Sequence, residues 1–451
     1  MDGRPRLKIA VIGSGVSGLS AAWLLSRRHD VTVYDRAGRP GGHSNTVDVS
    51  IAGREIPIDT GFIVYNPVAY RNLVALFSHL GVATQASEMS FGVSLDDGRL
   101  EYSGGTLAGL LAQPANLMRP RFWSMLRDVA RFYREAPAHL GQLERSGQTL
   151  GEFLKDHGFG TALAEDHLLP MSAAIWSAPE LAMRDYPAAA FVRFFLNHGL
   201  LRLTGRPVWR TVTGGSRCYV NRMLQAMPPV LRLNAGDVIV ERRAGGTDIV
   251  SHGGQRGSFD HVVIATNADQ ALTLLAEPSP DERATLGAFR YSRNLCVLHS
   301  DDGVMPRRRA AWSSWNVTRQ GREASDRVCV TYWMNRLQAL AIPQNIFVTL
   351  NPQPFPRDDS ILHTQVYEHP VFDARALAAQ KQLWPLQGRR NTWFCGAYFG
   401  SGFHEDGLQA GLAVAEALGG AARPWALTDP SDRIHMHASA PATDGQQGRP
   451  A

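Results

Sequence analysis

The chain has 451 residues, 44% of them hydrophobic and 19% charged, which is enough for two domains with substantial cores. Its formal charge of +5 comes from basic residues spread along the chain rather than grouped, so we expect no nucleic-acid partner. The four cysteines are far apart and form no Cys-x-x-Cys pair, which argues against a metal site and a disulfide framework and favours a reducing cytoplasm.

The first segment has the pattern of one βαβ unit. Residues 7–12 predict a buried strand, residues 19–28 a helix and residues 31–34 a second strand. Glycines interrupt the apolar stretch 7–25, which therefore does not match a signal peptide. No other window reaches the roughly 18 uninterrupted apolar residues of a membrane helix. We expect a cytoplasmic protein, with a peripheral position on the inner membrane as an alternative.

A glycine-rich turn joins the first strand to the helix. It consists of Gly13, Ser14, Gly15, Val16, Ser17 and Gly18. The first glycine permits a sharp turn, the second lets the backbone approach a pyrophosphate, and the third lets the helix pack closely on the strand. The helix start then offers unpaired N–H groups to phosphates. Asp35, at the end of the second strand, can accept both ribose hydroxyls, so this unit predicts a dinucleotide site.

Residues 69–209 have mainly helical periodicity and predict an inserted helical region. Within it, a basic amphipathic helix is predicted after Pro120. Its apolar positions are Phe122, Met125, Leu126, Val129, Phe132 and Tyr133, with Arg127, Arg131 and Arg134 among them. Such a helix either lies on a membrane surface or covers a domain core, and the pattern leaves both interpretations open.

In the second half of the chain, residues 238–265 predict a small β-meander. Residues 392–418 predict a strand, a glycine-rich turn and a helix. Residues 422–451, rich in Pro, Ala, Ser, Gly and His, predict a disordered tail. Large aromatic residues from both halves are candidates for the lining of an apolar slot. They are Trp176, Trp209, Trp315, Tyr332 and Trp333.

The residues after the second strand distinguish FAD from NAD. A second glycine pair, Gly41 and Gly42, follows, with Arg36, Arg39 and His43 around it. The pattern resembles FAD proteins of the amine-oxidase and glutathione-reductase (GR2) type, in which a glycine pair and a basic residue wrap the pyrophosphate. His43 stands where this family frequently has arginine, so the resemblance implies that Arg36 and Arg39 substitute for it.

Further segments extend the resemblance to the flavin-containing amine-oxidase superfamily. The Asp-x-Gly element beside the flavin is matched by Asp59, Thr60, Gly61 and Phe62, and Val238 stands on the strand that meets the adenine. The closing flavin motif is matched by Gly396, Ala397, Glu405, Asp406, Gly407 and Leu408. The resemblance implies that these residues bind FAD and that a second helix N-terminus approaches the isoalloxazine ring. Asp406 is alternatively a plain helix N-cap.

The closing motif also bears on flavin attachment and on catalysis. Cys395 does not match the superfamily's covalent-flavin cysteine, so non-covalent FAD is expected. The three lysines of the chain offer no counterpart to the family's lysine near flavin N5. No catalytic acid or base is assigned, and every candidate also has a purely structural interpretation. The candidates beside the flavin are Phe403, His404, Glu405 and Tyr398.

Four segments are similar to a narrower bacterial group, described as predicted NAD/FAD-binding proteins and often encoded beside cyclopropane-fatty-acid synthase relatives. They are residues 171–177, 332–338, 369–372 and 394–398. The resemblance covers residues 7–420 and implies lipid acyl chemistry by association only.

Together these patterns predict an α/β fold, with a Rossmann-like FAD-binding domain of the amine-oxidase type and an inserted α+β substrate domain. The predicted FAD-binding parts are 1–75, 206–290 and 386–421, with a mostly helical substrate or cap region at 76–205, a substrate-domain sheet at 291–385 and the tail at 422–451. The expected function is an FAD-dependent oxidoreductase, a dehydrogenase, desaturase or oxidase acting on an apolar small molecule such as a lipid acyl chain. The alternatives are a flavin amine oxidase, and a redox-neutral isomerase or FAD-binding protein without turnover.

Overall fold

The structure is a computed structural model that describes residues 5–176, 180–227, 230–251, 254–321 and 329–436. Its α-helices are α1 (Val16–Leu25), α2 (Arg71–Leu80), α3 (Leu107–Leu110), α4 (Pro120–Glu135), α5 (Leu140–Ser146), α6 (Leu150–Asp156), α7 (Thr161–Leu163), α8 (Leu169–Trp176), α9 (Ala188–Asn197), α10 (Arg217–Gln225), α11 (Ala268–Leu274), α12 (Pro280–Leu286), α13 (Met334–Leu337), α14 (Ala374–Leu383) and α15 (His404–Ala417). A π-helical turn, Ala164–Leu168, joins α7 to α8.

The strands are β1 (Lys8–Ile12), β2 (Asp30–Tyr34), β3 (Thr46–Ile51), β4 (Arg54–Asp59), β5 (Thr84–Ser87), β6 (Phe91–Leu95), β7 (Leu100–Ser103), β8 (Trp209–Val212), β9 (Val230–Arg232), β10 (Val238–Arg243), β11 (Gly246–Ser251), β12 (Arg256–Phe259), β13 (His261–Ile264), β14 (Arg290–His299), β15 (Trp315–Arg319), β16 (Cys329–Trp333), β17 (Phe347–Leu350), β18 (Ile361–Val371) and β19 (Thr392–Phe394). Short 3₁₀ helices lie at Pro114–Met118, Ala136–His139, Leu181–Met183, Asp302–Val304, Arg309–Ala311, Asp358–Ser360, Trp384–Leu386, Arg389–Asn391 and Ala397–Phe399.

A five-stranded parallel sheet, in the order β19-β13-β1-β2-β9, forms the core of the Rossmann-like part. The central strand β1 pairs Val11 with Val33 of β2 and with Val263 of β13. These three valines are fully buried, as expected for a parallel sheet that is covered on both faces. The sheet places the turn after β1 at its carboxyl edge, where α/β folds bind ligands.

Two helices that cover this sheet come from opposite ends of the chain. Helix α1 is apolar on all sides, and every one of its residues is buried. Helix α15 packs directly on it. A Cβ atom added at Gly411 of α15 would lie 2.2 Å from the Ser17 carbonyl oxygen, and one added at Gly407 would lie 2.7 Å from Ser17 Oγ. Glycine at both positions therefore lets the two helix starts lie side by side.

A second, seven-stranded sheet has the order β18-β14-β17-β16-β15-β6-β7. Its β15–β6 pairing is parallel, and its other pairings are antiparallel. The strands β10, β11 and β12 form a separate antiparallel sheet, which confirms the first two strands of the predicted meander. Its third strand is β12, whereas residues 261–264, predicted to belong to the meander, form β13 of the parallel sheet, because their apolar run is buried between β1 and β19. Strands β6 and β7 lie at residues 91–103, so the region predicted to be mostly helical also contributes the far edge of the large sheet.

Helix α4 covers a core. Phe122 and Phe132 are 2% and 0% exposed, and Met125, Val129 and Tyr133 are also buried. The Phe132 ring contacts Phe153, Phe159 and Phe191. Of the two interpretations of this amphipathic helix, the membrane-facing one is wrong, because its apolar face is occupied by the protein's own aromatic residues.

The segment after α15 also differs from the prediction. Residues 422–436 pack against the molecule, whereas residues 437–451 lie outside the described part of the chain, as does Ser177 of the segment 171–177. The buried Arg423 pairs with Glu416 of α15, and the Trp425 ring stacks on Trp23 of α1 at 5.9 Å. Composition alone predicts disorder here because it does not register these few buried anchors. No helix in the described residues is long and apolar enough to cross a membrane.

Candidate flavin site

The glycine-rich turn after β1 is shaped by the distinct surroundings of its three glycines. Gly13 has a φ of +102°, and a Cβ atom there would lie 2.8 Å from the Ala265 carbonyl oxygen. A Cβ atom at Gly18 would lie 1.9 Å from the Gly13 carbonyl oxygen. At Gly15, in contrast, a Cβ atom would meet nothing within 4 Å. The turn is closed on the protein side and open at Gly15, which is the shape that a phosphate needs.

Asp35 lies beside this turn at the end of β2. Its carboxylate accepts hydrogen bonds from Ser14 N at 2.8 Å and from Ala37 N at 2.8 Å, and it contacts Ser14 Oγ. Oδ2 accepts both bonds from Ser14 and Oδ1 accepts the one from Ala37, so Oδ1 keeps one lone pair for a ribose hydroxyl. The structure thus gives Asp35 a second role, since it also holds the glycine turn in place.

The second glycine pair packs onto the first turn. Gly41 and Gly42 have positive φ angles of +110° and +57°, and a Cβ atom at Gly42 would lie 3.0 Å from Gly15 Cα. The Arg39 guanidinium donates to the Gly42 carbonyl oxygen at 3.0 Å, and burial lowers the pKa of Arg39. Arg39 is therefore next to the turn, whereas Arg36 is exposed to solvent.

His43 follows the pair and has a buried Nε2 atom without a hydrogen-bond partner among the described residues. Burial, helped by the charge of Arg39, lowers the pKa of His43 to about 4, so the imidazole is neutral at pH 7. Its ring lies 5.0 Å from Tyr367 and 5.5 Å from His369. A buried polar atom without a partner is costly in a finished fold, so this atom fits a site completed by a ligand.

Asp59 is buried and held by residues far away in the sequence. Its carboxylate accepts from Thr46 Oγ1 at 2.6 Å, from Ser216 Oγ at 2.7 Å and from Ser216 N at 2.9 Å. Burial raises the pKa of Asp59 to about 6, although these bonds act in the opposite direction. The side chain of Asp59 therefore fixes the start of α10, and its contact with FAD stays a prediction.

The residues that follow Asp59 contact the surroundings of His43 on one side and α15 on the other. Thr60 Oγ1 lies 2.7 Å from the Tyr367 hydroxyl, and Gly61 packs on the His43 carbonyl, where a Cβ atom would lie at 2.2 Å. The Phe62 ring stacks on His404 at 3.8 Å. Val238 is buried on β10, an edge strand of the meander, and nothing in its contacts tests a role in adenine binding.

Helix α15 carries two acidic residues in its first turn, and both point to other parts of the protein. Glu405 accepts from Asn72 N and Leu73 N at 2.9 Å, so it caps α2. Asp406 accepts from Phe403 N at 2.7 Å, and its other oxygen lies 2.9 Å from Arg433 Nε. Phe403 is the N-cap residue. The interpretation of Asp406 as the N-cap is therefore wrong, because its carboxylate reaches back from the third helical position.

Arg433 was not anticipated from the sequence, because it lies in the segment predicted to be disordered. It is 10% exposed, its partner Asp406 is fully buried, and its guanidinium also lies over the Tyr70 ring at 5.6 Å. Burial raises the pKa of Asp406 to about 6, and the Arg433 charge opposes this shift. The remaining members of the closing motif, Gly396, Ala397 and Leu408, provide backbone and packing around these pairs.

His404 and Tyr398 have different surroundings. His404 Nε2 lies 2.7 Å from the Tyr219 hydroxyl and 3.0 Å from Ser44 Oγ, and burial lowers the pKa of His404 to about 3. The buried Tyr398 hydroxyl has no partner among the described residues, and burial raises its pKa. His404 is therefore a fixed, neutral imidazole, whereas Tyr398 lies deep beneath the motif against Phe289.

Phe403 faces a group of packed aromatic side chains, which we call the aromatic wall. Its members are Trp176, Tyr186, Phe191, Phe194, Phe195, His198, Trp209 and Phe403. Phe194 stacks on Phe403 at 4.8 Å and on His198 at 3.9 Å. Two of the predicted slot residues are in this wall, whereas Trp333 belongs to a separate cluster with Met305, Trp312 and Phe347.

His198 is the polar member of the wall that the sequence did not reveal. Its Nδ1 atom lies 2.9 Å from the Phe194 carbonyl oxygen, which makes Nδ1 the donor. Burial lowers the pKa of His198 to about 3, so Nε2 is a buried acceptor, and it has no partner among the described residues. A lone histidine in a helical stretch carries no local pattern, so only the fold identifies it.

The residues of this site fit a flavin dinucleotide. The backbone is open at Gly15, the glycine pair at Gly41 lies against it, and His43 keeps a buried atom unpaired. The starts of α1 and α15 lie side by side, so two positive helix ends come together. Phosphates and a flavin that gains negative charge on reduction are both stabilised by such an arrangement.

Comparisons with known proteins agree with this geometry. The family model described as flavin containing amine oxidoreductase matches residues 16–336. A comparison with curated proteins gives no match. Among solved structures, a CLA-producing fatty acid isomerase from P. acnes is similar, with a TM-score of 0.65, 16% identity and coverage of 91% of this chain and 98% of that chain.

Two further solved structures have the same fold. A putative protoporphyrinogen oxidase from Exiguobacterium sp. 255-15 has a TM-score of 0.63 at 14% identity, over 92% of this chain and 99% of that chain. Cyclohexylamine oxidase from Brevibacterium oxydans IH-35A has a TM-score of 0.62 at 16% identity, over 92% of this chain and 100% of that chain. These neighbours act on chemically different molecules, so the likeness establishes the fold and not the substrate.

Proposed function

Because the chain belongs to the flavin-containing amine oxidoreductases and is thus an FAD-dependent oxidoreductase, we propose that it dehydrogenates an apolar, uncharged substrate of the lipid acyl type. The observation that carries this proposal is the aromatic wall beside Phe403. Its only titratable imidazole, His198, is neutral because burial lowers its pKa to about 3. Aromatic rings pack against an acyl chain but also attract an ammonium group, so they do not decide between the two. The neutral imidazole supplies no countercharge for a cation, which favours an uncharged chain.

The positions of the lysines support the same choice. Lys8, Lys155 and Lys381 are all exposed on the surface, so none of them is available as a buried lysine near the flavin. This weakens the alternative of an amine oxidase of the usual kind. The structural likeness to a fatty acid isomerase keeps a redox-neutral reaction on an acyl chain as the second candidate.

When bound, FAD supplies the hydride acceptor. The chain's own residues hold the substrate and shape its surroundings. The aromatic wall excludes water from the side of Phe403, and His198 Nε2 offers one acceptor to a substrate O–H or N–H. Arg433 balances the charge of Asp406 at the start of α15, so the N–H groups there would stabilise negative charge on a bound flavin.

The test is anaerobic mixing of the purified yellow protein with candidate substrates, followed at the flavin absorbance. We expect fatty acyl esters to bleach the flavin and aliphatic amines not to bleach it. Bleaching by amines alone would contradict the proposal. A product with a shifted double bond and no net bleaching would establish the isomerase instead.

A further inference from the structure

We propose that residues 199–208, here called the docking loop, bind the surface of an anionic lipid bilayer together with Val68 and Leu196. This inference rests on the proposed function, because it explains how an acyl chain would reach the aromatic wall. The loop is anchored in that wall. His198 precedes it and Trp209 follows it, and their rings stack with centroids 6.2 Å apart.

The base of the docking loop is closed by a tight contact. Gly199 has a φ of +68°, and a Cβ atom there would lie 2.7 Å from Pro207 Cδ. Because the two ends meet at this point, the residues between them project from the molecule. Leu201 packs inward at 8% exposure, whereas the four residues 202–205 and Arg206 are exposed. The loop is thus a compact projection with its root beside the candidate site.

Apolar side chains are exposed on and around the loop. Leu203 is 64% exposed, Val208 65%, Leu196 44% and Val68 65%. Val68 belongs to the same surface, because the Asn66 side chain donates to the His198 carbonyl oxygen at 3.0 Å and accepts from Val68 N at 2.9 Å. Apolar side chains grouped at one place mark a surface that gains free energy when it is covered.

The charge of the docking loop indicates which kind of partner covers this apolar surface. Arg202 and Arg206 are exposed, and Arg206 Nε donates to the Arg202 carbonyl oxygen at 2.7 Å. Among the described residues, no carboxylate pairs with either guanidinium. Two unpaired arginines beside exposed leucine and valine match an anionic headgroup layer over acyl chains.

Another exposed apolar surface provides a matched contrast. Leu107 is 73% exposed and Met118 86% exposed. The nearby Arg121 is paired with Asp166 at 2.7 Å and with Glu165 at 2.9 Å, so its charge is already neutralised. Arg119, which follows Met118, is half-buried and donates to the Arg99 carbonyl oxygen and to Asn116 Oδ1, so this surface has the apolar component with less free positive charge. It is therefore the control for binding driven by apolar exposure alone.

The experiment is co-sedimentation of the FAD-loaded protein with phosphatidylglycerol vesicles and with phosphatidylcholine vesicles. We expect binding to the anionic vesicles at low salt and weaker binding at high salt. The double variant Leu203→Asp/Val208→Asp should lose binding, and Arg202→Gln/Arg206→Gln should weaken it roughly thirtyfold, because each arginine near an anionic surface contributes about 1 kcal/mol. Leu107→Asp/Met118→Asp should bind as the original chain does. Flavin absorbance and thermal melting show that each variant is folded.

Equal binding by the loop variant and the original chain would overturn the inference. So would a dimer that the loop variant alone disrupts, since the surface would then serve a second copy of the chain. Vesicle binding is measured without substrate, so it can fail while a dispersed short-chain acyl substrate still bleaches the flavin. That outcome would overturn the docking loop and leave the proposed function standing.

Discussion

The two glycine-rich elements of the candidate flavin site are held together in different ways. The turn at residues 13–18 is built from its own backbone and from neighbours within the same βαβ unit and sheet. The start of α15 is fixed by side chains that are distant in sequence, since Glu405 caps α2 and Asp406 pairs with Arg433. Both elements present a helix N-terminus to the same place. The turn depends on close backbone packing that leaves no room for side chains, and the start of α15 depends on a buried ion pair.

This difference determines which kind of substitution disrupts each element. A backbone turn is damaged by added atoms, because close packing leaves no room for them. A buried ion pair is damaged by the loss of one partner, because the remaining charge stays without compensation. The following predictions separate the two cases.

The largest effect is expected from Arg433→Met. This change leaves Asp406 buried without its cation, which costs about 3 to 5 kcal/mol of the free energy of unfolding. The double variant Arg433→Met/Asp406→Asn should recover part of this loss, as measured by chemical denaturation. The exposed pair of Arg6 with Asp30 is the control, since its side chains are 57% and 61% exposed and Arg6→Met should cost under about 1 kcal/mol. Equal costs for Arg433→Met and Arg6→Met would contradict the comparison.

A smaller effect, limited to the turn, is expected from Gly18→Ala. Its Cβ atom would meet backbone at 1.9 Å, so we expect a loss of about 3 kcal/mol. Gly15→Ala is the matched variant, because its Cβ atom would meet open space in the protein itself. In the absence of FAD, Gly15→Ala should have the same melting temperature as the original chain, but it should bind FAD more weakly. If both variants bind FAD normally, the turn is not the phosphate site.

The smallest expected effect is on the pH dependence of the free energy of unfolding, and it comes from His198 in the aromatic wall beside the start of α15. Burial lowers the pKa of His198 from 6.5 to about 3, so between these values the unfolded chain binds more protons than the folded one. The free energy of unfolding therefore rises with pH across this window, by about 2 kcal/mol between pH 5 and 6.5 for one such group. His198→Phe should flatten the dependence by that amount. The raised pKa values of Asp59 and Asp406 act in the opposite direction below about pH 6 and are common to both proteins.

The same contrast explains what could be predicted from the sequence. The βαβ unit, the first two strands of the meander and the closing strand, turn and helix were predicted because each is a local pattern of apolar residues and glycines. The sheet to which residues 261–264 belong could not be predicted, because their pairing with β1 and β19 is not local. The family assignment and the α/β fold class are confirmed for the same reason. The domain boundaries and the individual FAD contacts stay predictions.

Other features could not be inferred from local patterns. Asp59 binds Ser216, and Glu405 binds Asn72, so the roles of these acids depend on partners that only the fold brings near. The apolar face of α4 is equally suited to lipid and to protein, and only its contacts decide between them. The composition of the segment after α15 predicts disorder because only a few residues anchor it, chiefly Arg423, Trp425 and Arg433.

The order of strands in the parallel sheet has a consequence for synthesis of the protein on the ribosome. Strand β13 pairs on one side with β1, and on the other side with β19, which is translated long after β13. Until residues 392–394 emerge, the nascent chain exposes a parallel edge that other chains could join. Helix α15 is made later still. The N-terminal turn therefore gains its neighbour on α15 only after residues 404–417 have been made.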